Sequence, residues 1–295
     1  MKTRNLDMRS KKFKTEKVVT YTLLIIVSLA MLMPLVVLFA TSVRTYDDLV
    51  QNPTHLFGTE FSLDAFAKVL EENPYFMYLG NTLLITVVSI VGCCFTSAMV
   101  GYGFARFKAP GSKFLFALFM AGMIIPGQVL NIPMFEIYKR LGWINTFLPF
   151  IIPVWFGGGT FNFFLQRQFM KGLPPALMEA AEIDGCSEVG IFFRIVLPLS
   201  KPVITTIAVF TFINCWNDLY GPLLYLEDPS LWTLAKGNYM IYQAELGKQG
   251  VSGGSILPWN IISAANAISI VPIIILYFFA QRVFVEGIAT TGIKG

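Results

Sequence analysis

Residues 18–43 read VVTYTLLIIVSLAMLMPLVVLFATSV and contain no charged side chain. A helix needs about 20 predominantly apolar residues to cross the hydrocarbon core of a bilayer, where its backbone groups can bond only to one another. Similar apolar runs recur along a chain of 295 residues that is 55% hydrophobic and only 14% charged. The sequence therefore predicts an all-α membrane protein with six transmembrane helices, at residues 18–43, 79–104, 114–133, 147–165, 203–224 and 259–279.

These runs fill a single predicted domain at residues 18–282, with short segments at residues 1–17 and 283–295 on either side. The first run is longer than a removable signal peptide and lacks the small-residue cleavage site of one. We therefore expect it to remain as a helix.

Lysine and arginine residues are unevenly distributed over the predicted loops. They accumulate before the first apolar run, and cytoplasmic loops are the ones that carry an excess of these residues. If the helices alternate in direction, 16 of the 22 basic residues lie on the cytoplasmic side, and an odd number of helices would destroy this bias. We therefore expect six spans with both termini in the cytoplasm. The net charge of +4 then reflects topology and not nucleic-acid binding.

Residues that metal or nucleophilic chemistry would need are scarce. His55 is the only histidine, and the four cysteines show no CxxC spacing, so neither a metal site nor a disulfide framework is indicated. The phosphate-binding pattern GxxxxGK[ST], which ATP hydrolysis by this chain would require, does not occur. These observations predict a protein that is not an enzyme and holds no cofactor of its own.

The predicted loop at residues 166–202 is long, mixed in charge and organised as two short helices. Pro175 suits the first turn of one helix, and Gly185 suits its end. Ser187 can cap a second helix, which we expect to continue until Pro198. Composition alone also fits a plain surface loop that lies along the membrane.

The same loop carries a spaced motif: Glu-Ala-Ala, three residues, Gly, nine residues, then Ile-x-Leu-Pro. This pattern resembles the cytoplasmic signature of ATP-binding cassette importer permeases. Three other segments, Asn81-Thr82, Pro126-Gly127-Gln128 and Trp216-Asn217-Asp218, are similar to the carbohydrate-uptake, MalG-like branch of that family. The motif residues are Glu179, Ala180, Ala181, Gly185, Ile195, Leu197 and Pro198.

The resemblance implies a MetI-like permease fold in which this loop forms coupling helices that fit a groove on a separate cytoplasmic ATPase. Acidic residues would make polar contacts there, the alanines would allow close packing, and the last motif residues would lead the chain back into the membrane. The residues expected to dock the ATPase, none of them catalytic, are Glu179, Ala180, Ala181, Asp184, Gly185, Ile195, Leu197 and Pro198.

The resemblance also implies an assembly in a bacterial-type inner membrane. The chain would form half of the translocation pathway for a sugar or related polyol, beside a second, homologous permease. A dimer of cassette ATPases would bind ATP and Mg, and an extracytoplasmic solute-binding protein would deliver the solute.

Asp218 lies within the fifth apolar run, where an ionisable group is costly and is often functional. Together with Trp216 and Asn217 it could face a translocation pathway or gate, because aromatic faces and hydrogen-bonding groups suit sugars. A hydrated or paired position near the outer interface, serving packing or gating, explains the acid as well.

Other functions remain open alternatives at this point. A secondary transporter or channel subunit without an ATPase should show several intramembrane charges or an inverted repeat. An intramembrane enzyme would need paired carboxylates, a nucleophile or a metal set. A purely structural membrane subunit differs from a permease only in having no ATPase.

Overall fold

A computed structural model describes residues 2–252 and 257–291 of the chain. The end of the predicted C-terminal tail, residues 292–295, lies outside the described residues. The described part is helical apart from connecting loops and one isolated bridge between Arg44 and Phe61. The α-helices are α1 (Lys2–Ser42), α2 (Tyr46–Gln51), α3 (Asp64–Glu72), α4 (Tyr75–Arg106), α5 (Ser112–Gly122), α6 (Gly127–Arg140), α7 (Leu148–Ile151), α8 (Thr160–Lys171), α9 (Pro175–Ile183), α10 (Glu188–Ile191), α11 (Leu197–Leu199), α12 (Lys201–Asn217), α13 (Tyr220–Tyr225), α14 (Leu234–Ser252) and α15 (Trp259–Thr291).

The prediction of an all-α membrane protein is confirmed. Within the described residues, four helical stretches are long and apolar enough to cross a membrane, and the number rises to six if each of two bent pairs is one span. The angle between α5 and α6 is 100°, and the angle between the stretch Glu188–Leu199, which ends with α11, and α12 is 73°. The four stretches outside these bent pairs are Glu16–Ser42, Tyr75–Arg106, Leu148–Lys171 and Trp259–Phe279.

Three of the predicted runs are not continuous helices, and the fourth, which is interrupted between α7 and α8, is described below. The third breaks before Pro126, which is extended at φ −60° and ψ 129° and has no N–H to continue the hydrogen-bond ladder. The fifth ends at Asn217, because Asp218 is extended at ψ 106°, and the chain resumes as α13. Hydropathy reveals the apolar length of a segment, but these changes of direction depend on single residues.

The chain divides into two compact units: residues 1–73 with 244–268, and residues 74–243 with 269–295. In the first unit a buried ion pair orders the segment after α1. Arg44 Nε donates to Asp48 Oδ2 at 2.5 Å, and its two terminal nitrogens donate to the carbonyls of His55 and Asn52 at 2.6 and 2.7 Å. The bond from Arg44 lowers the pKa of Asp48 to about 2, against the opposing effect of desolvation. His55 therefore contributes its backbone carbonyl to the hydrogen bonds around this ion pair.

In the second unit, α4 packs against the segment from α7 to α8 and against α12. The segment from α7 to α8 is interrupted by a short 3₁₀ turn and three glycines, and several of its backbone carbonyls face α4. Polar side chains on one face of α4, spaced four and three residues apart, supply donors for them. The bonds are Ser89 Oγ to Phe150 O (3.4 Å), Thr96 Oγ1 to Val154 O (3.2 Å) and Cys93 Sγ to Gly158 O (3.1 Å).

The interruption requires glycine for two reasons. Gly157, Gly158 and Gly159 have φ angles of 91°, 66° and 85°, in the region that side chains rarely adopt. A Cβ added at Gly158 would also lie 2.5 Å from the carbonyl oxygen of Cys93. The close approach of α4 to this break therefore depends on the absence of a side chain.

Replacing Gly158 with alanine should lower the stability of the subunit by about 2 kcal/mol, because it combines backbone strain with overpacking against α4. The measurement is the thermal unfolding of the purified protein in detergent. Gly103→Ala is the matched control, since an added Cβ at Gly103 on α4 meets nothing within 4 Å. Equal melting temperatures for Gly158→Ala and Gly103→Ala would contradict this account of the break.

Candidate functional site

The loop after α8 folds as predicted into helix, turn and helix. α9 begins at Pro175, and its end is followed by Gly185 at φ +83°. An added Cβ at Gly185 would meet nothing within 4 Å, so the glycine is needed for its backbone conformation and not for space. Ser187 caps α10, because its Oγ accepts a hydrogen bond from the N–H of Gly190 at 3.2 Å.

The second helix of the loop ends at Leu199, one residue after the predicted end at Pro198, but it contains a π turn that was not predicted. A π turn spans Phe192–Val196, in which the N–H of Leu197 donates to the carbonyl of Phe192 five residues earlier. Pro198 has no N–H to continue the hydrogen-bond pattern, and helical geometry extends only one residue further, to Leu199. The chain then bends at Ser200 into α12.

One face of the loop packs against its own unit. Ala181 is only 6% exposed, and Ile195 and Leu197 are partly buried against the same apolar cluster. This face fixes the rotation of α9 about its axis. The buried residues of this apolar cluster are Ala98, Tyr102, Met170, Ala181, Ile191, Phe192 and Val196.

The opposite face of α9 is exposed and combines apolar with acidic residues. Glu179, Ala180 and Asp184 are exposed there. Ile183 is 87% exposed, which is unusual for a large aliphatic side chain beside a tight turn. Ile183 is not among the predicted docking residues, although it lies between the alanines of the motif and Gly185.

The eight residues predicted to dock an ATPase therefore do not share one surface. Glu179, Ala180, Asp184 and Gly185 are exposed on and just after α9, and Pro198 is exposed further along the chain. The remaining residues of the set, which face the chain's own core or are partly buried against it, are Ala181, Ile195 and Leu197.

A cluster of charges joins this loop to the last turn of α4. Arg106 Nη2 lies 3.1 Å from Glu188 Oε1 and also contacts the carboxylate of Glu182. Tyr102, one helical turn before Arg106, donates from its hydroxyl to Glu188 Oε2 at 2.6 Å. No sequence pattern indicated a role for Arg106, because its carboxylate partners are more than 70 residues away in the chain.

A cavity of about 450 Å³ lies between α4, α6, α12 and the short helices α7 and α13. Its lining carries one carboxylate, two amides and several aromatic rings, and none of the lining side chains is basic. Among the described residues, no three or more His, Cys, Asp and Glu side chains are grouped so as to hold a metal ion. The polar and aromatic lining residues include Asn131, Tyr138, Phe150, Asn214, Asp218 and Tyr225.

The three residues predicted for a pathway or gate point in different directions. Asp218 lines the cavity, and its Oδ1 accepts a hydrogen bond from the N–H of Gly221 at 3.0 Å. Trp216 is buried, and its Nε1 donates to the carbonyl of Ser269 at 3.0 Å. Asn217 is exposed and bonds the carbonyl of Ile213 at 2.8 Å. Only Asp218 has direct access to the cavity.

An all-helical chain with apolar spans, a polar cavity and a loop docked at a helix end has the architecture of a membrane permease. A family model described as binding-protein-dependent transport system inner membrane component matches residues 95–290. The chain belongs to this family, which is one of transporter subunits and not of enzymes. The predicted resemblance to ATP-binding cassette importer permeases is confirmed.

Alignments with similar proteins extend over nearly the whole chain. The arabinooligosaccharides transport system permease protein AraQ of Halalkalibacterium halodurans is 33% identical over 96% of this chain and 100% of that protein. The polygalacturonan/rhamnogalacturonan transport system permease protein YtcP of Bacillus subtilis is 31% identical over 93% of this chain and 96% of that protein. A chain in the crystal structure of a bacterial ABC transporter that imports the acidic polysaccharide alginate has the same fold, with a TM-score of 0.78, 22% identity, and coverage of 91% of this chain and 96% of that chain.

The adjacent alanines of α9 allow a direct test of which face is buried. Ala181→Leu should lower the stability of the subunit by roughly 1 to 3 kcal/mol, because the added atoms overpack the apolar cluster. Ala180→Leu adds the same atoms on the exposed face and should leave the stability unchanged. Thermal unfolding in detergent measures both, and equal effects of the two variants would refute the assigned rotation of α9.

Proposed function

We propose that this chain forms half of the translocation pathway of an ATP-binding cassette importer for a sugar or related polyol. Relatives that align over nearly its whole length are named for the transport of arabinooligosaccharides and of polygalacturonan or rhamnogalacturonan. Both solutes are carbohydrates. The cavity supports the same class, because aromatic faces and neutral hydrogen-bonding groups match the C–H faces and hydroxyls of a sugar.

The observation that carries the coupling to an ATPase is the exposed face of α9. The Ile183 side chain is apolar and 87% exposed, so a partner that covers it lowers the free energy of the system. Ala180 keeps the backbone approachable, while Glu179 and Asp184 offer charges around the contact. On this proposal these residues and the turn at Gly185 dock the ATPase directly. Ala181, Ile195 and Leu197 then hold the docking helix on the permease, and Pro198 leads the chain towards α12.

The assembly that follows contains further chains. A dimer of cassette ATPases binds ATP and Mg, a second homologous permease supplies the other half of the pathway, and an extracytoplasmic solute-binding protein delivers the solute. ATP-driven closure of the ATPases moves the docked loop and thereby changes access to the cavity.

The orientation belongs to the same proposal. The distribution of basic residues supports an orientation in which the loop with α9 and both termini lie in the cytoplasm of a bacterial-type cell, where the ATPase can reach the loop. Residues 18–282 act as the permease domain between a basic N-terminal segment and a C-terminal tail.

Within the membrane, Asp218 contributes a hydrogen-bond acceptor to the pathway wall. Trp216 acts behind it, since its bond to Ser269 fixes the end of α12 from which Asp218 projects. Asn217 closes the last turn of the same helix through its bond to Ile213.

Ile183→Asp should abolish copurification of the ATPase, because it places a charge at the centre of the apolar contact. Ile183→Leu is the matched control and should retain the ATPase, since it keeps the apolar volume. The measurement is affinity purification of each tagged variant from native membranes in mild detergent, with the bound chains quantified by mass spectrometry. Full recovery of the ATPase with Ile183→Asp would exclude α9 as the docking helix.

The same purification with the wild-type chain tests the proposed function as a whole. Recovery of a cassette ATPase and a second permease supports it, and a copurified solute-binding protein can then be tested for binding of arabinotriose and trigalacturonate. Recovery of neither an ATPase nor a second permease in several detergents would refute it.

A further inference from the structure

Arg106 is shared between the two helices of the loop. Its guanidinium contacts Glu182 on α9 and Glu188 on α10, which lie on opposite sides of the turn at Gly185. The contact with Glu188 uses both Nη2, at 3.1 Å, and Nε, at 3.3 Å. A planar guanidinium can hold two carboxylates in fixed directions, whereas an ammonium group acts as a point charge.

These ion pairs contribute little to the folding free energy. The Arg106 side chain is 23% exposed and both glutamates are more exposed still, so water screens the attraction. The fold around them is maintained by the apolar cluster that includes Tyr102 and Phe192, whose ring centroids lie 5.3 Å apart. The ion pairs can therefore determine the relative positions of three helix ends without being required for folding.

Arg106 is also the last residue of α4, the helix that reaches the cavity. Thr82 and Ile85, on the same helix, line the cavity and lie roughly 36 and 32 Å from Arg106 at 1.5 Å of helix rise per residue. Along its length α4 is bonded to the interrupted segment between α7 and α8. A movement of α4 at its Arg106 end is thus carried to the cavity wall.

We propose that Arg106 transmits the movement of the loop to the cavity: it is a positioning residue that couples the ATPase cycle to α4, with Glu182 and Glu188 as its two anchors. The inference rests on the proposed function, since it assumes that an ATPase drives the loop. When α9 and α10 move together, the two carboxylates move Arg106 and therefore α4. Without the guanidinium, the helices remain in apolar contact but can slide against one another.

The test uses the complete complex purified from native membranes and reconstituted in liposomes. Cys215 lines the cavity, so its rate of alkylation by N-ethylmaleimide, followed by peptide mass spectrometry, reports on cavity access. The rate is compared with and without MgATP and vanadate. In the wild type we expect a change of roughly tenfold, within the usual range of coupling between two sites.

Arg106→Gln should bind the ATPase, hydrolyse ATP and melt as the wild type does, but lose the nucleotide-dependent change at Cys215. The double variant Glu182→Gln with Glu188→Gln should show the same loss, and adding Arg106→Gln to it should cause no further loss. Arg140→Gln is the matched control, because Arg140 pairs with Glu136 inside a single helix and links no two elements.

Three results would overturn the inference. A full nucleotide-dependent change in Arg106→Gln would mean that the apolar cluster transmits the movement alone. Loss of ATPase binding in Arg106→Gln would mean that Arg106 builds the docking surface instead. Loss of the change in Arg140→Gln would show that any missing arginine impairs the complex. A wild-type chain that recovers no ATPase would instead refute the proposed function, and this inference with it.

Discussion

A backbone carbonyl in hydrocarbon has no water to bond, and this constraint organises the second unit. Continuous helices satisfy it internally, but the segment between α7 and α8 is broken by the glycines at residues 157–159. Ser89, Cys93 and Thr96 on α4 donate to carbonyls of this segment, and the N–H of Gly158 also donates to one of them, the carbonyl of Val154. The break and α4 therefore have to lie together, and the position of α4 then determines both the wall of the cavity and the place of Arg106.

Much of the fold could be predicted from the sequence because apolar length and turn residues are local properties. The apolar runs, the glycine turn at Gly185 and the cap at Ser187 all occur in the structure. The bend before Pro126 could not be predicted from hydropathy, because the two helices that it separates together pass as one apolar span. A proline inside an apolar run is compatible with a kink or with a complete change of direction, and the surrounding helices decide between them.

The candidate site was predictable to a lesser extent, since a motif specifies residues but not the faces on which they lie. Ala180 and Ala181 are identical residues that are adjacent in the motif, yet only Ala181 is buried, because the apolar cluster fixes the rotation of α9. Trp216 and Asp218 are near neighbours in sequence, but the helix ends between them and only the acid reaches the cavity. Arg106 gave no local signal, because its importance comes from contacts with residues far along the chain.

The π turn at Phe192–Val196 makes the length of the loop a structural quantity in its own right. Such a turn contains one residue more than an α-helix would need for the same advance. Deleting a single residue there would restore α-helical register and change the direction in which the chain enters the bend at Ser200. The composition would hardly change, yet α12, at whose end Asp218 lies, would be displaced. The interval of nine residues between Gly185 and Ile195 thus helps to determine the direction of α12. In sequence alignments, a gap inside this interval indicates a different geometry of α12.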